Sequence, residues 1–112
     1  MSRRKRYITG RVYLTNDNLL VNYSKGNRRV VALNNDKENM HVRRITSLYD
    51  KSGNVKKNVI PIEKYPDIRK PSGIEMRTFR KTRYNKPINE NFLIKTKTRL
   101  NKWDRAKMYR SK

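Results

Sequence analysis

The chain has 112 residues, and its 30 Lys and Arg against nine Asp and Glu give it a formal net charge of +21 at pH 7. A small soluble domain needs a net charge of only about 2 to 8, so this excess predicts a polyanionic partner, and nucleic acid is the first candidate. The sequence has no cysteine, which excludes disulfides, thiolate nucleophiles and the usual zinc sites. No apolar run approaches the roughly 18 residues of a membrane span, and we predict no membrane partner.

Apolar residues and charges follow opposite gradients along the chain. Residues 7–63 hold 16 of the 24 Leu, Ile, Val and Phe residues, whereas residues 76–112 hold 13 basic residues and two acidic ones. The first stretch can bury a core, and the second is typical of a charged extension. We therefore predict a cytoplasmic protein with a basic arm at 1–6, a small β-barrel at 7–63 and a basic extension at 64–112, which uses no metal and no cofactor.

The first three predicted strands precede residue 34. Residues 7–14 are rich in β-branched and aromatic side chains, with Gly10 as a bulge or bend. After an Asn/Asp turn, residues 19–23 are the second candidate strand. Residues 29–33 contain a continuous apolar run that is too short for an independent helix, which predicts a central, buried strand.

Two further strands complete the predicted sheet. Residues 40–49 have strand propensity throughout, and a hairpin loop at 50–54 leads into residues 55–62. Pro61 cannot donate a backbone hydrogen bond, so the last strand belongs at an edge of the sheet. Five short strands of this kind predict a mainly β fold, in the form of a small antiparallel barrel.

From residue 64 onward, prolines interrupt any long regular element. We expect this segment to wrap the barrel or its ligand in a partly extended form. Near the end, Leu100, Trp103 and Ala106 fall on one helical stripe, which predicts a short basic helix over residues 98–110.

Basic and aromatic side chains are interleaved in the C-terminal half. Cations neutralise phosphates and release counterions, and aromatic rings stack on unpaired bases; the competing interpretation makes Phe79, Leu100 and Trp103 core anchors. The sequence has no Cys/His finger and no helix-turn-helix pattern, so RNA is favoured over DNA. The predicted contact residues are Arg3, Arg4, Lys5, Arg6, Arg43, Arg44, Arg77, Arg80, Lys81, Arg83, Tyr84, Lys95, Lys97, Arg99, Lys102, Arg105 and Arg110.

One catalytic scheme is compatible with the sequence, namely metal-independent RNA cleavage through attack of the ribose 2′-hydroxyl. It requires cations or hydrogen-bond donors around the phosphate and a group that moves protons. Arg29, Thr46 and Ser47 are candidates for the first task. His41, the only histidine, is the candidate for the second because the pKa of histidine lies near neutrality. These residues leave open whether the protein is an enzyme.

The run RRVVALNND at residues 28–36, followed by a second strand that ends in Thr46-Ser47, resembles the MazF/PemK toxins. In that family an arginine opens an apolar strand that ends in a polar turn, and the next strand ends in a Thr-Ser pair. The resemblance implies an SH3-like barrel and sequence-selective RNA cleavage, with Arg29 and Thr46 at the scissile phosphate and Ser47 beside them. It covers residues 28–47 only, and Val30 stands where the family usually has proline.

Two non-catalytic alternatives fit the same charge distribution. A small inhibitor encoded by a mobile element could bind a large nucleoprotein complex of host defence, including its guide RNA. A ribosomal protein would combine a globular core with basic extensions that thread into RNA. The first alternative predicts saturable binding to one complex, and the second predicts co-sedimentation with a ribosomal subunit.

Overall fold

The computed structural model describes residues 9–110, which form a six-stranded sheet and one helix. All strand pairings are antiparallel. The strands are β1 (Arg11–Asn16), β2 (Asn27–Ala32), β3 (Val42–Ser47), β4 (Val59–Pro61), β5 (Ser72–Glu75) and β6 (Ile94–Arg99), and the helix α1 is Lys102–Arg110. Their order across the sheet is β4-β5-β3-β2-β1-β6.

The centre of the sheet is buried on both faces. Because successive side chains of a strand point to opposite faces, the neighbours Val30 and Val31 of β2 belong to two separate apolar clusters. Phe79 and Ile88 complete the first cluster, and Met108 of α1 belongs to the second. A strand that is buried on both faces has a continuous apolar sequence rather than an alternating one, and this explains the pattern of residues 29–33.

Strand β3 changes partners along its length. Its first half pairs with β2, where Arg44 lies opposite Val30, and its second half pairs with β5, where Thr46 lies opposite Gly73. The sheet order begins with β4 and ends with β6, so the sheet is open. The mainly β prediction is confirmed, whereas the described residues do not close into an SH3-like barrel.

Gly73 makes the β3–β5–β4 part of the sheet possible. A Cβ atom at this position would lie 2.2 Å from the Val59 Cγ1 atom and 2.8 Å from the Ile60 carbonyl oxygen of β4. Since neither approach is tolerable, only glycine allows β4 to pack this closely on β5.

Helix α1 is fixed at both ends. Asn101 caps the N-terminus by accepting the Asp104 N–H at 2.9 Å, and the buried Asp104 carboxylate accepts the Glu63 backbone N–H at 3.0 Å. At the other end, Arg43 of β3 donates to the Met108 carbonyl at 3.5 Å. That carbonyl lies in the last turn, where the helix supplies no internal donor and carries partial negative charge.

Several predicted elements are confirmed. Strand β2 is central, and β4, which contains Pro61, is an edge strand. The loop at 50–54 closes a turn in which the Asp50 N–H donates to the Asn54 carbonyl at 2.8 Å. The basic C-terminal helix exists, in the shorter range 102–110.

The strand predicted over residues 19–23 is wrong. The Asn16 side chain accepts the Asn18 N–H and caps a 3₁₀ turn at Asp17–Leu19, after which Leu20 and Val21 enter the first apolar cluster. Asn and Asp side chains compete with strand pairing by bonding to the nearby backbone. Here they turn the chain and bring the Asp17 carboxylate into the interior.

Two strands in residues 64–112 were not predicted. Strands β5 and β6 both come from this segment and pair with β3 and β1. The segment therefore supplies part of the sheet in addition to exposed basic residues.

Candidate nucleic-acid interface and cleft

Two predicted contact residues, Arg43 and Arg44, lie inside the molecule, with 2% and 6% exposure. Arg44 donates to the two Asp17 carboxylate oxygens at 3.1 and 2.8 Å and to Glu75 at 3.1 Å. Arg43 donates to the Thr78 hydroxyl at 3.0 Å, and burial lowers its pKa. Neither guanidinium can reach a phosphate at the surface, so the prediction for these two residues was wrong and their role is structural.

Asp17 is the centre of a buried ion network. It is 1% exposed and also accepts from Arg28 at 2.9 Å. Burial alone would raise the pKa of Asp17, but hydrogen bonds from Ser24, Arg44 and Arg28 outweigh this effect and lower the pKa below its usual value of 3.8. The ionised carboxylate thus compensates the buried Arg44 guanidinium and the half-buried Arg28 guanidinium.

The other predicted contacts within residues 9–110 lie at the surface. Arg105 is half-buried, and the remaining ones are exposed. Ion pairs in this range use only Arg28, Lys37, Arg44 and Lys107 as cations. The exposed cations among these predicted contacts that have no acidic partner in the described chain are Arg77, Arg80, Lys81, Arg83, Lys95, Lys97, Lys102 and Arg110.

Edge strand β6 carries a row of cations. Lys95, Lys97 and Arg99 are exposed at alternate positions, and Thr96 and Thr98 between them make hydrogen bonds within the molecule. The pairing of β6 with β1 shifts register between Lys95 and Arg99, so the spacing of the three cations is not regular. They present positive charge along an edge that no described strand covers.

The core-anchor interpretation of the aromatic residues is only partly correct. Phe79 and Leu100 are buried, with 5% and 2% exposure, and they belong to the two apolar clusters. Trp103 is 65% exposed. The single tryptophan is therefore not a core anchor.

Two exposed aromatic rings are each accompanied by a neighbouring cation. The Arg83 guanidinium lies 4.4 Å from the centroid of the Tyr84 ring, and Lys102 Nζ lies 5.3 Å from the Trp103 centroid. Arg83 also donates to the Asn18 side chain at 2.8 Å, which fixes its position. Such pairs offer a ring for stacking and a charge for a phosphate at the same place.

Three of the four predicted catalytic residues line one open cleft of about 670 Å³, namely Arg29, Thr46 and Ser47. The cleft opens where β2 and β3 separate. The pairing of β2 with β3 ends at Val30, and the rest of β3 pairs with β5, so Arg29 has no paired residue in β3. The side chain of Arg29 makes no hydrogen bond or ion pair with any described residue. Its guanidinium is available to an anion in the cleft.

The hairpin loop returns a lysine to the two hydroxyl groups. Lys56 Nζ donates to Thr46 Oγ1 at 3.1 Å and to Ser47 Oγ at 3.2 Å, and the Ser47 hydroxyl donates to the Tyr49 carbonyl at 3.2 Å. Because the Thr46 oxygen already accepts from Lys56, its own proton is free to be donated to a phosphate oxygen. Lys56 was not among the predicted site residues.

His41 does not reach this cleft. It precedes β3, whereas Thr46 lies near the other end of that strand, and five residues of extended chain span about 17 Å. The prediction that His41 acts beside Arg29 and Thr46 was therefore wrong. Since the sequence has no other histidine, this cleft has no histidine to move protons.

The far wall of the cleft comes from the loop before β5. It contributes Arg69 and Lys70, which are exposed, and Asp67, which accepts a hydrogen bond from Thr98. Neither Arg69 nor Lys70 was predicted, because the sequence does not show that this loop lies opposite Arg29. The resulting cleft combines several cations with two hydroxyl groups, which are suitable ligands for a phosphate.

The predicted contacts Arg3, Arg4, Lys5 and Arg6 lie outside the described residues. Within residues 9–110 no group of three His, Asp or Glu side chains is arranged to hold a metal ion. The same range contains no helix with the length and apolar character that crossing a bilayer requires.

Comparison with protein-family models, curated proteins and solved structures found no match to this chain. The resemblance to the MazF/PemK toxins therefore stays a hypothesis.

Proposed function

We propose that this is a cytoplasmic protein that binds nucleic acid, RNA in preference to DNA, through the exposed cations of its C-terminal half. The observation that carries the proposal is the set of surface Lys and Arg residues that have no acidic partner within residues 9–110, which includes Arg80, Lys81, Lys95 and Lys97. Solubility does not require so much unpaired charge. Exposed aromatic rings beside these cations favour unpaired bases, which RNA displays in loops and single strands.

The test is the salt dependence of RNA affinity. We expect the logarithm of the association constant for a single-stranded RNA to fall linearly with the logarithm of salt concentration, with a slope near −0.7 for each phosphate contact. Fluorescence anisotropy with a labelled oligonucleotide measures this slope. An affinity that is the same at low and physiological salt would contradict the proposal.

A paired variant locates the contacts. Lys95→Gln with Lys97→Gln removes two charges from the β6 row, and we expect the slope to become less negative by about 1.4. The matched control is Lys51→Gln with Lys57→Gln. These two exposed lysines precede β4, which lies at the opposite edge of the sheet from β6. Equal changes in both variants would mean that the charge acts without a defined surface.

A second candidate function is metal-independent RNA cleavage in the cleft. The convergence of Arg29, Thr46 and Ser47 on one wall favours it. In this reaction the 2′-oxygen forms a bond to phosphorus, the bond from phosphorus to the 5′-oxygen breaks, and the 5′-oxygen takes a proton from water. Arg29 and the Thr46 hydroxyl would stabilise the charge on the phosphate oxygens, and water would have to accept the 2′-hydroxyl proton because His41 is remote.

Cleavage is tested with a labelled single-stranded RNA in the presence of EDTA. The cleavage hypothesis predicts products that end in a 2′,3′-cyclic phosphate. It also predicts that Arg29→Ala and Thr46→Ala abolish cutting while the far-UV circular dichroism is unchanged. Intact RNA with the wild-type protein would remove the enzymatic hypothesis and leave the binding proposal standing.

A further inference from the structure

We infer that Trp103 is a stacking platform for an unpaired base of the bound nucleic acid. This inference rests on the proposed function, and it names single strands as the substrate class. Trp103 is the only tryptophan of the chain and is 65% exposed. Tryptophan is highly buried on average in folded proteins, so an exposed one at a fixed position has a different use.

The position of Trp103 is fixed by its neighbours. The residue that follows it, Asp104, is fully buried and accepts hydrogen bonds from the Glu63 N–H and from the Tyr65 hydroxyl. Asn101 caps the same helical turn. The ring is therefore exposed on a rigid element rather than on a frayed terminus, and a rigid ring loses little conformational freedom when a base stacks on it.

The charge around the ring suits a nucleotide. Lys102 Nζ lies 5.3 Å from the ring centroid, and Arg110, seven residues after Trp103, is exposed on the same side of the helix. The only acidic group of α1, Asp104, points into the interior. A base on the indole would thus have cations beside it for its phosphate and no exposed carboxylate of the helix to repel it.

The geometry selects single strands. In a duplex both faces of each base are covered by neighbouring base pairs, so an aromatic side chain can stack only on bases that are unpaired or at an end. A lone indole at the start of a helix is a platform for one such base. Lys95 and Lys97 precede it in the chain and are exposed to the phosphates of the same strand.

The fluorescence of Trp103 tests the inference in the wild-type protein. We expect a short oligoadenylate to quench the emission, and a ribose-phosphate oligomer of equal length without bases to bind without quenching it. Binding of both oligomers with equal effects on the emission would overturn stacking and leave the binding proposal intact. Failure of both oligomers to bind, measured by anisotropy, would overturn both.

Variants give an independent measurement. Trp103→Leu should weaken oligoadenylate binding about 5- to 150-fold and leave the affinity for the base-free oligomer unchanged, and Trp103→Phe should restore most of the loss. The matched control is Phe92→Leu, because Phe92 is 50% exposed and no described cation lies over its ring. An equal loss for both oligomers in Trp103→Leu would refute a specific contact with a base.

Discussion

The pairs Arg43-Arg44 and Arg80-Lys81 look alike in the sequence, yet the structure gives them opposite environments. Arg43 and Arg44 are buried, and Arg44 binds Asp17 and Glu75. Arg80 and Lys81 are exposed and have no acidic partner in the described chain. Five of the nine acidic residues are buried or half-buried. Much of the negative charge therefore lies away from the surface, and the surface is strongly cationic.

The largest expected effect is the loss of the interior charge balance. Asp17→Asn keeps the shape of the side chain but leaves Arg28 without a carboxylate and Arg44 with Glu75 alone, and breaking a buried ion pair costs about 3–5 kcal/mol. We expect that loss in the free energy of unfolding, measured by urea denaturation. The exposed Asp36→Asn is the control and should change it by less than about 0.5 kcal/mol. Equal effects of the two substitutions would refute the distinction between interior and surface.

The same carboxylate makes stability depend on acid. Because the pKa of Asp17 is lower in the folded protein than its usual value of 3.8, its contribution is complete above that value and is lost as the pH falls through the folded-state pKa. The stability difference between the wild type and Asp17→Asn should therefore be constant near neutrality and shrink below about pH 4. Urea midpoints measured along this range provide the test, and a difference that grows towards acid would contradict it.

The stability of helix α1, which carries Trp103, depends on its N-terminal cap, Asn101. Asn101→Ala removes the acceptor for the Asp104 N–H and the hydrogen bond from Asn101 to Glu63. Loss of such a cap costs about 1 kcal/mol, which thermal unfolding followed by circular dichroism can measure. Asn91→Ala, at an exposed position outside the helix, is the control. No difference between these variants would mean that α1 is held by packing alone.

The sequence predicts the fold where local pattern and tertiary packing agree. The apolar run of β2, the turn at 50–54 and Pro61 in β4 each follow from a local rule, and the structure confirms them. The local sequence does not predict β6, because its alternating Lys and Thr residues have no apolar face. The strand forms through pairing with β1. Strand β5 is four residues long and contains Gly73, so it has almost no local signal.

The candidate site follows the same rule. Arg29, Thr46 and Ser47 lie on adjacent predicted strands, so sequence order could place them near one another. Arg69 enters the cleft through a loop, and Lys56 reaches the Thr46 hydroxyl through a hairpin; no periodicity reveals either. The burial of Arg44 could not be predicted either, because it depends on Asp17, which lies 27 residues away in the chain.

The smallest expected effect concerns the exposed pair Arg80 and Lys81. Arg80→Gln with Lys81→Gln removes two exposed charges that make no ion pair in residues 9–110, so no ion pair is lost. Because the molecule repels itself, we expect the free energy of unfolding at low salt to rise by up to about 0.5 kcal/mol. Screening shortens the range of this repulsion, and the gain should disappear at about 1 M salt. A loss of stability at any salt concentration would mean that these residues belong with Arg44 and not with the exposed cations.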